Sequence, residues 1–424
     1  MFSDGAFAAI GANKTKYWVG EYPPTDSYFS STNLYDPMSL YREQPVHHGT
    51  YDTVQIIEFD IGSVSYWKLI LIEAVSLLKR GLDTALTLQF RESEYLTIFA
   101  LASFMTQKWN IAIQSFDQSV SADRVFTISI VLRRLDSVTT SSVDFCMVTD
   151  GTRDANVQAF LDSVRANQIH AVQKIAVYIC GPEDSVNKLE THGLDVHHVE
   201  PPHQFLEKGW ITKKKNLLVE SATADTLVIL HDRYTLDKDF LWNLDAYGWD
   251  FEVLVPYQRT TEGKRFPDWV STSSLWTWTP SLLLEAHEYN EFVYVNGGAI
   301  IAKRSVLLEC PWNEMLFWNQ GEDVELSRRM AFKSIVPRYA DTVQLNVLQY
   351  RDGYIASFEK SSRHLKNARG QYPGLLSRIL QSNLIGEIFR LPVVQKIAKS
   401  RLAADLQKTS PGAWVARRLV GHSK

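Results

Sequence analysis

KKKNLLVESATADTLVILHDRY, residues 213–234, is the stretch on which the fold turns. KKKNLLVESA reads as a helix that delivers the chain into TLVIL, residues 226–230, which reads as a buried strand. That strand stops abruptly at His231, Asp232, Arg233 and Tyr234. Open α/β sheets collect ligands outside the carboxyl ends of their strands, so four such side chains at a strand end mark a candidate site.

Working upstream, DFCMVTD (144–150) is a near-continuous apolar run, as expected for a parallel strand covered on both faces. It ends in Thr149 and Asp150, again at a strand end. A helix (Asn156 to Asn167), a strand (KIAVYIC, 174–180), a turn at Gly181 and Pro182, a further helix and the strand DVHHVE (195–200) follow. Before all of these, residues 51–137 alternate strand (Thr53 to Glu58), helix (Trp67 to Lys79), strand (Ala85 to Phe90), helix (Glu94 to Thr106) and two strands (Ile111 to Phe116, Val125 to Arg133). Residues 1–50, rich in Tyr, Ser, Pro and Asp, show no sustained period and read as irregular structure wrapped on a neighbour.

At 424 residues, with 45% hydrophobic and 22% charged residues, the chain is globular and long enough for two or three domains. Cys146, Cys180 and Cys310 have spacings that suit neither a metal knuckle nor a disulfide framework, so a reducing compartment is expected. The N-terminus lacks a basic region followed by an apolar core, and no stretch approaches the ~20 apolar residues needed to span a bilayer. The expected location is cytoplasmic. Net charge of −4 conceals an asymmetry: residues 360–424 hold 13 Lys and Arg against Glu387 and Asp405, a balance of +11 that leaves −15 on the rest.

The series Lys215, Asn216, VESATADTLVIL, then His231, Asp232 and Arg233 resembles the inverting glycosyltransferases of the GT-A fold, family 2 type, across residues 142–350. In that family a strand ending in Asp-x-Asp holds a divalent metal on the pyrophosphate of a nucleotide-sugar donor. The resemblance implies a Rossmann-like, mostly parallel sheet and a donor site at Thr149, Asp150, Asp184, Lys215, Asn216, His231, Asp232 and Arg233. His231 and Arg233 stand where the family has its two Asp residues, with Asp232 between them. Two readings follow. Asp232 and His231 hold Mn²⁺ or Mg²⁺, or Arg233 itself faces the pyrophosphate. Asp184 serves the nucleotide base in one reading and caps a helix in the other.

FVYVNGGAIIAKR (292–304) reads as a strand interrupted by two glycines, and glycine inside a strand often marks close approach of a ligand or another backbone. By resemblance Asn296, Gly297 and Gly298 form the floor between donor sugar and acceptor. Some 25 residues beyond those glycines, FWNQGEDVELSRRM (317–330) opens a helix with Glu322, Asp323 and Glu325 in its first turn. Acids there favour the helix dipole by only ~0.3–1 kcal/mol each. The family's Glu-Asp pair lies after its glycine strand, so Asp323, with Glu322 beside it, is implied as the general base for the acceptor hydroxyl. Burial of Asp323 is expected to raise its pKa. The insert 257–290 carries Trp269, Trp276, Trp278 and Tyr289; Trp276 and Trp278 are candidates to stack on acceptor sugar rings, with core packing as the alternative. His287 and His364 are further candidates for the site or a metal, with a structural role as the alternative.

The expected organisation is α/β: an irregular segment 1–50, a small α/β domain 51–138, a GT-A domain 142–350 and a basic amphipathic helical tail 351–424. The small domain resembles the second half of a class I methyltransferase fold without the Gly-rich loop that would hold the methyl donor. Leu375, Leu376, Ile379, Leu380, Leu384, Ile388 and Leu391 have helical spacing beside Arg378 and Arg390, so residues 374–424 either lie on the inner face of an anionic membrane or pack on protein. No nucleic-acid reading fold accompanies the charge. The expected function is sugar transfer from a nucleotide-sugar to a glycan or lipid-linked acceptor. The alternative is a noncatalytic assembly protein built from degraded transferase folds.

Overall fold

The computed structural model describes residues 14–136, 141–167, 172, 174–274, 277–317, 320–351, 353–356 and 358. Of the described residues, those up to Val270 and from Leu284 to Arg351 form one compact unit, and Ser271–Leu283 belongs to a second. The first unit contains two large sheets. The basic tail expected over 374–424 lies outside the described residues, as does His364. Among the described residues no helix is long and apolar enough to cross a membrane.

The first sheet has β1 (Lys16–Val19), β2 (Tyr28–Ser31), β3 (Thr53–Ile56), β4 (Asp83–Arg91), β5 (Ile111–Val120) and β6 (Val125–Arg134), in the order β2-β1-β3-β4-β6-β5. Strands β1 to β4 run parallel, and β6 is antiparallel to both β4 and β5, so the two strands expected at the end of this region close the sheet as a hairpin. Strand β4 alternates buried and accessible positions along its length, the period-2 signature of a strand with two different faces. Two of the strands come from the segment read as irregular. Each is four residues long, too short to show a period, and their order comes from pairing, β1 with β3 and β2 with β1.

Helix α1 (Trp67–Leu77) is apolar on almost every side and is covered on almost every side. Its one buried acid, Glu73, is fully enclosed. Oε1 accepts from the Glu43 backbone N–H and pairs with His48 Nε2, both at 2.8 Å, while Oε2 accepts from Arg338 at 2.5 Å and from Arg42 at 3.5 Å. Helix α2 (Ile98–Gln107) starts four residues later than expected, because Thr97 Oγ1 caps the Ala100 N–H.

The second sheet comprises β7 (Ser142–Val148), β8 (Lys174–Cys180), β9 (Val196–Val199), β10 (Thr226–His231), β11 (Tyr234–Leu236), β12 (Val253–Thr260), β16 (Ala299–Lys303) and β17 (Pro337–Val347). Short strands β13 (Trp269–Ser274), β14 (Thr277–Leu283) and β15 (Val293–Val295) fall between β12 and β16 in sequence. The sheet order is β11-β17-β12-β16-β10-β7-β8-β9. Strands β10, β7, β8 and β9 are mutually parallel, and β16 inserts antiparallel between β10 and β12. This is a mixed, mostly parallel, Rossmann-like α/β sheet.

The crossover helices are α3 (Asp154–Ala166), the single-turn α4 (Glu183–Val186), α5 (His203–Glu207) and α6 (Ile211–Ser221); α7 (Phe240–Tyr247), α8 (Arg304–Glu309) and α9 (Glu322–Phe332) follow. Asp144, fully buried within β7, receives the N–H groups of Thr223 and Ala224 at 2.7 Å each. That carboxylate fixes the turn between α6 and β10, and so aims β10 at its polar end. The glycine stretch expected as one interrupted strand is two strands: β15 ends at Val295 and β16 begins at Ala299 in the second sheet.

Candidate active site

The carboxyl end of β10 lies beside that of β7, with His231 paired in register to Val148. Beyond it the four end residues part company. Asp232, buried, accepts a 2.9 Å hydrogen bond from Thr149 Oγ1 on one carboxylate oxygen and a 2.8 Å ion pair from Arg153 on the other. Arg233 lies beside Gly298, donates to Tyr234 Oη at 3.4 Å and sits over the Phe266 ring at 5.5 Å. Tyr234 is fully buried and donates to Gln258 Oε1 at 2.8 Å, so it is a core residue and no ligand contact.

His231 carries a buried Nε2 with no hydrogen-bond partner. Burial first, and then the positive charges of Lys215, Arg233, Lys214 and Arg153, push its pKa well below the ordinary imidazole value, so the ring is neutral. Two of those cations lie beneath the strand ends on α6. Lys214 Nζ donates to the Thr149 carbonyl at 3.1 Å, and the fully buried Lys215 donates to the Gly297 carbonyl at 2.8 Å. Burial lowers the pKa of Lys214 against the pull of Cys180, Asp150 and Asp232, and that of Lys215 against the pull of Glu322 and Asp323.

Gly297 joins the two chemistries. Its N–H donates to Asp323 Oδ2 at 3.1 Å while its carbonyl receives Lys215, and the next carbonyl, of Gly298, accepts the His231 N–H at 3.0 Å. A Cβ on Gly297 would lie 3.0 Å from Asp323 Cβ and 3.3 Å from Glu322 Oε1; one on Gly298 would lie 2.6 Å from Arg233 Nη2 and 2.7 Å from Tyr234 Oη. Neither glycine adopts a positive φ. Crowding by Asp323 on one side and Arg233 on the other demands glycine here, whereas the left-handed Gly321 (φ 73°) demands it for the backbone that enters α9. Residue 323 and the polar group beginning at 231 therefore flank one stretch of two glycines.

The carboxylates of α9 divide their environments. Asp323 is half-buried; its other oxygen accepts the Val324 N–H at 2.8 Å, and Ser327 Oγ, bonded to the Asp323 carbonyl at 2.7 Å, ties this turn to β15 through the Val295 N–H. The deep burial expected of Asp323 falls on Glu322 instead, whose pKa burial raises against the attraction of Lys215 4.0 Å away.

Other residues singled out from sequence stand elsewhere. Asn216 spends its side chain on the 312–314 loop, with Trp312 N–H and carbonyl at 3.0 Å and Glu314 at 3.1 Å. Asn296 braces the glycine turn, donating to the Pro267 carbonyl at 2.7 Å and accepting the Gly298 N–H at 3.0 Å. Asp150 is exposed; burial works against its charge, but hydrogen bonds from Thr152 hold its pKa below the ordinary value. Asp184 is exposed in the first turn of α4. Trp276 and the side chain of Trp278 lie outside the described residues. Trp269 is core, stacked on Tyr339 with centroids 5.4 Å apart, and the exposed His287 offers its carbonyl to Tyr41 Oη. A cavity of about 330 Å³ among the described residues lies apart from this site, lined by Lys108, Trp109, Arg134, Glu252 and Lys303 among others, so cavity size does not locate the chemistry.

Arg153 and Lys214 were not foreseen. Their signal was present in the GTRD that follows the β7 strand end and in the KKK that opens the quoted stretch. They bear on the divalent ion expected at Asp232 and His231. Both oxygens of Asp232 are engaged, one by a guanidinium, and the His231 imidazole is surrounded by four cationic side chains. Among the described residues no three His, Cys, Asp or Glu side chains are grouped to share an ion. This donor set does not fit a divalent cation.

The arrangement is a parallel β9-β8-β7-β10 half as expected, an antiparallel β16 next to it, and acids at the start of α9 facing the β10 end through a glycine turn. The fold is the Rossmann-like, mostly parallel α/β sheet that the resemblance to GT-A enzymes implied. No family model and no curated protein matches the sequence. Among solved structures, this chain is similar to GalNAc-T7 with UDP, GalNAc and Mn²⁺ (10% identity, TM-score 0.41, covering 55% of this chain and 49%, about half, of that one). It is also similar to residues 1–349 of S. aureus TarS in complex with UDP-GlcNAc (11%, 0.37, 63% and 78%) and to the inositol-1-phosphate CTP transferase of T. maritima (11%, 0.34, 53% and 97%).

Proposed function

We propose that the protein is an inverting glycosyltransferase that moves a sugar from a nucleotide-sugar to a hydroxyl of a glycan or lipid-linked glycan. The observation that carries this reading is the Gly297 peptide, which holds the Asp323 carboxylate at its N–H and the Lys215 ammonium at its carbonyl. Inverting transfer needs a base on the acceptor side and positive charge on the leaving-group side, and the two signs of charge are disposed on either side of these glycines. In the proposed step the acceptor oxygen forms a bond to the anomeric carbon as the bond from that carbon to the β-phosphate oxygen breaks. The electron pair leaves with the nucleoside diphosphate. The hydroxyl proton passes to Asp323, whose partial exposure lets it reach an acceptor while Glu322 stays turned to Lys215.

A cytoplasmic location, and contact of residues 374–424 with the inner membrane face where lipid-linked acceptors reside, belong to the same proposal, as does the division into domains 51–138 and 142–350. One observation favours the assembly reading instead: both Asp323 oxygens accept backbone N–H groups and so also brace the turn. Incubating the full chain with a panel of nucleotide-sugars and glycan acceptors, with NMR of the anomeric proton, separates the two. Transfer with inverted anomeric configuration supports the enzyme. Absence of both transfer and donor hydrolysis with every donor leaves the assembly protein.

A further inference from the structure

We propose that the donor site works without a divalent ion, Arg153 and Arg233 holding the diphosphate from the β7 and β10 ends with Lys214 and Lys215 charging the floor beneath. The inference rests on the nucleotide-sugar reading above and concerns how that donor is recognised.

A divalent ion in such a site has two tasks, to neutralise the diphosphate and to give its oxygens a fixed partner. Here the carboxylate that would anchor the ion is already neutralised from within the chain: Arg153 sits 2.8 Å from one Asp232 oxygen, and Thr149 donates to the other at 2.9 Å. Arg153 is also the accessible member of the group, its side chain 41% exposed, and its Nε is steadied by Gln349 at 3.1 Å. A guanidinium held flat by two acceptors still has donors to offer, in the planar fork that suits phosphate. Arg233 is fixed on the opposite side by Tyr234 and the Phe266 face.

The floor repeats the pattern. Lys214 and Lys215 are buried and anchored on the carbonyls of Thr149 and Gly297, which belong to the strand end and glycine turn that frame the site. Arg153 and Lys214 lie by Asp150 and Asp232, while Lys215 reaches across to the other side, its ammonium 4.0 Å from Glu322 and acted on by Arg233. Among these cations the buried Nε2 of His231 has no partner. With both Asp232 oxygens engaged, an added cation finds no unmatched carboxylate at the β10 end, whereas the accessible Arg153 attracts a phosphate oxygen.

The test is calorimetric titration of the full chain with UDP, GDP, CDP and ADP in turn, in EDTA and in MnCl₂. The bound nucleotide is expected to show a Kd in EDTA within about two-fold of that in Mn²⁺, weakening with added salt. Arg153→Gln and Arg233→Gln are each expected to weaken it at least about ten-fold, the loss of a charge-assisted pair. Asp323→Asn is expected to leave it within two-fold, and Arg233→Lys, which keeps the charge, to retain part of the affinity if Arg233→Gln fails to fold. Binding that appears only with Mn²⁺ overturns the inference and leaves the transferase reading standing. Absence of binding by all four nucleotides in both buffers removes the transferase reading itself, and the inference with it.

Discussion

Glu73→Gln tests how firmly the first sheet is clamped to the second. Burial alone would raise the Glu73 pKa, but Arg338, His48 and Arg42 overcome it and hold the carboxyl at about 2, against an ordinary 4.5. At 1.36 kcal/mol per pH unit that gap corresponds to about 3 kcal/mol of folding stability. Because the folded-state pKa is depressed, the contribution is complete above the unfolded value of 4.5 and is lost as pH falls toward 2. Linkage gives about 2 kcal/mol remaining at pH 3.5. Glutamine keeps the shape and removes the charge, leaving Arg338 and Arg42 buried without their counter-ion, which is costly in its own right. Urea unfolding of both forms at pH 7 and pH 3.5 reads the effect. The expected result is a loss of about 3 kcal/mol at pH 7 that shrinks by about 1 kcal/mol at pH 3.5. A difference under about 1 kcal/mol at pH 7, or one that does not change with pH, refutes the reasoning.

Three further outcomes are expected. Gly298→Ala places a Cβ 2.6 Å from Arg233 Nη2 and should displace that flexible group, costing about 1–3 kcal/mol in thermal unfolding and weakening nucleoside diphosphate binding; unchanged affinity would separate Arg233 from the donor. Asn216→Ala should lower the unfolding midpoint by releasing the 312–314 loop while the donor KM stays within two-fold, whereas a KM rise without loss of stability would return Asn216 to the donor site. Asp144→Ala strips the acceptor from the Thr223 and Ala224 N–H groups and should cost about 1–3 kcal/mol in urea unfolding; a neutral result would mean that another group or water satisfies them.

What was legible in the sequence followed physical signal strength. The second sheet could be read because buried parallel strands such as FCMV and TLVIL are continuous apolar runs, and because helices of 11–13 residues separate several of them. β1 and β2 could not be read, since four residues show no period and their order comes from tertiary pairing. Within the site, the nearness of Asp323 to the β10 end was anticipated from the order of motifs. The split among the end residues was not: a strand-end quartet says nothing of which side chain turns into the core, and Tyr234 did so because Gln258 on β12 waits 2.8 Å away. Asn216 and Asn296 looked like ligand contacts because amides suit sugars and phosphates, yet the same donors and acceptors serve loops 96 and 29 residues distant in sequence. Arg153 was passed over for the opposite reason: its place in the GTRD after a strand end was a signal, but a lone arginine there shows no partner until Asp232 is seen 2.8 Å away.

The most direct test of the central claim, that Asp323 and the cations at the β10 end serve one transfer reaction across Gly297 and Gly298, is the steady-state rate of Asp323→Asn with the donor that the wild type uses. The account predicts kcat lowered by about 10²–10⁴-fold, the range for loss of a general base, with nucleoside diphosphate affinity within two-fold of wild type. An Asp323→Asn enzyme that transfers sugar at the wild-type rate, or one whose only defect is a loss of nucleotide binding, would contradict it.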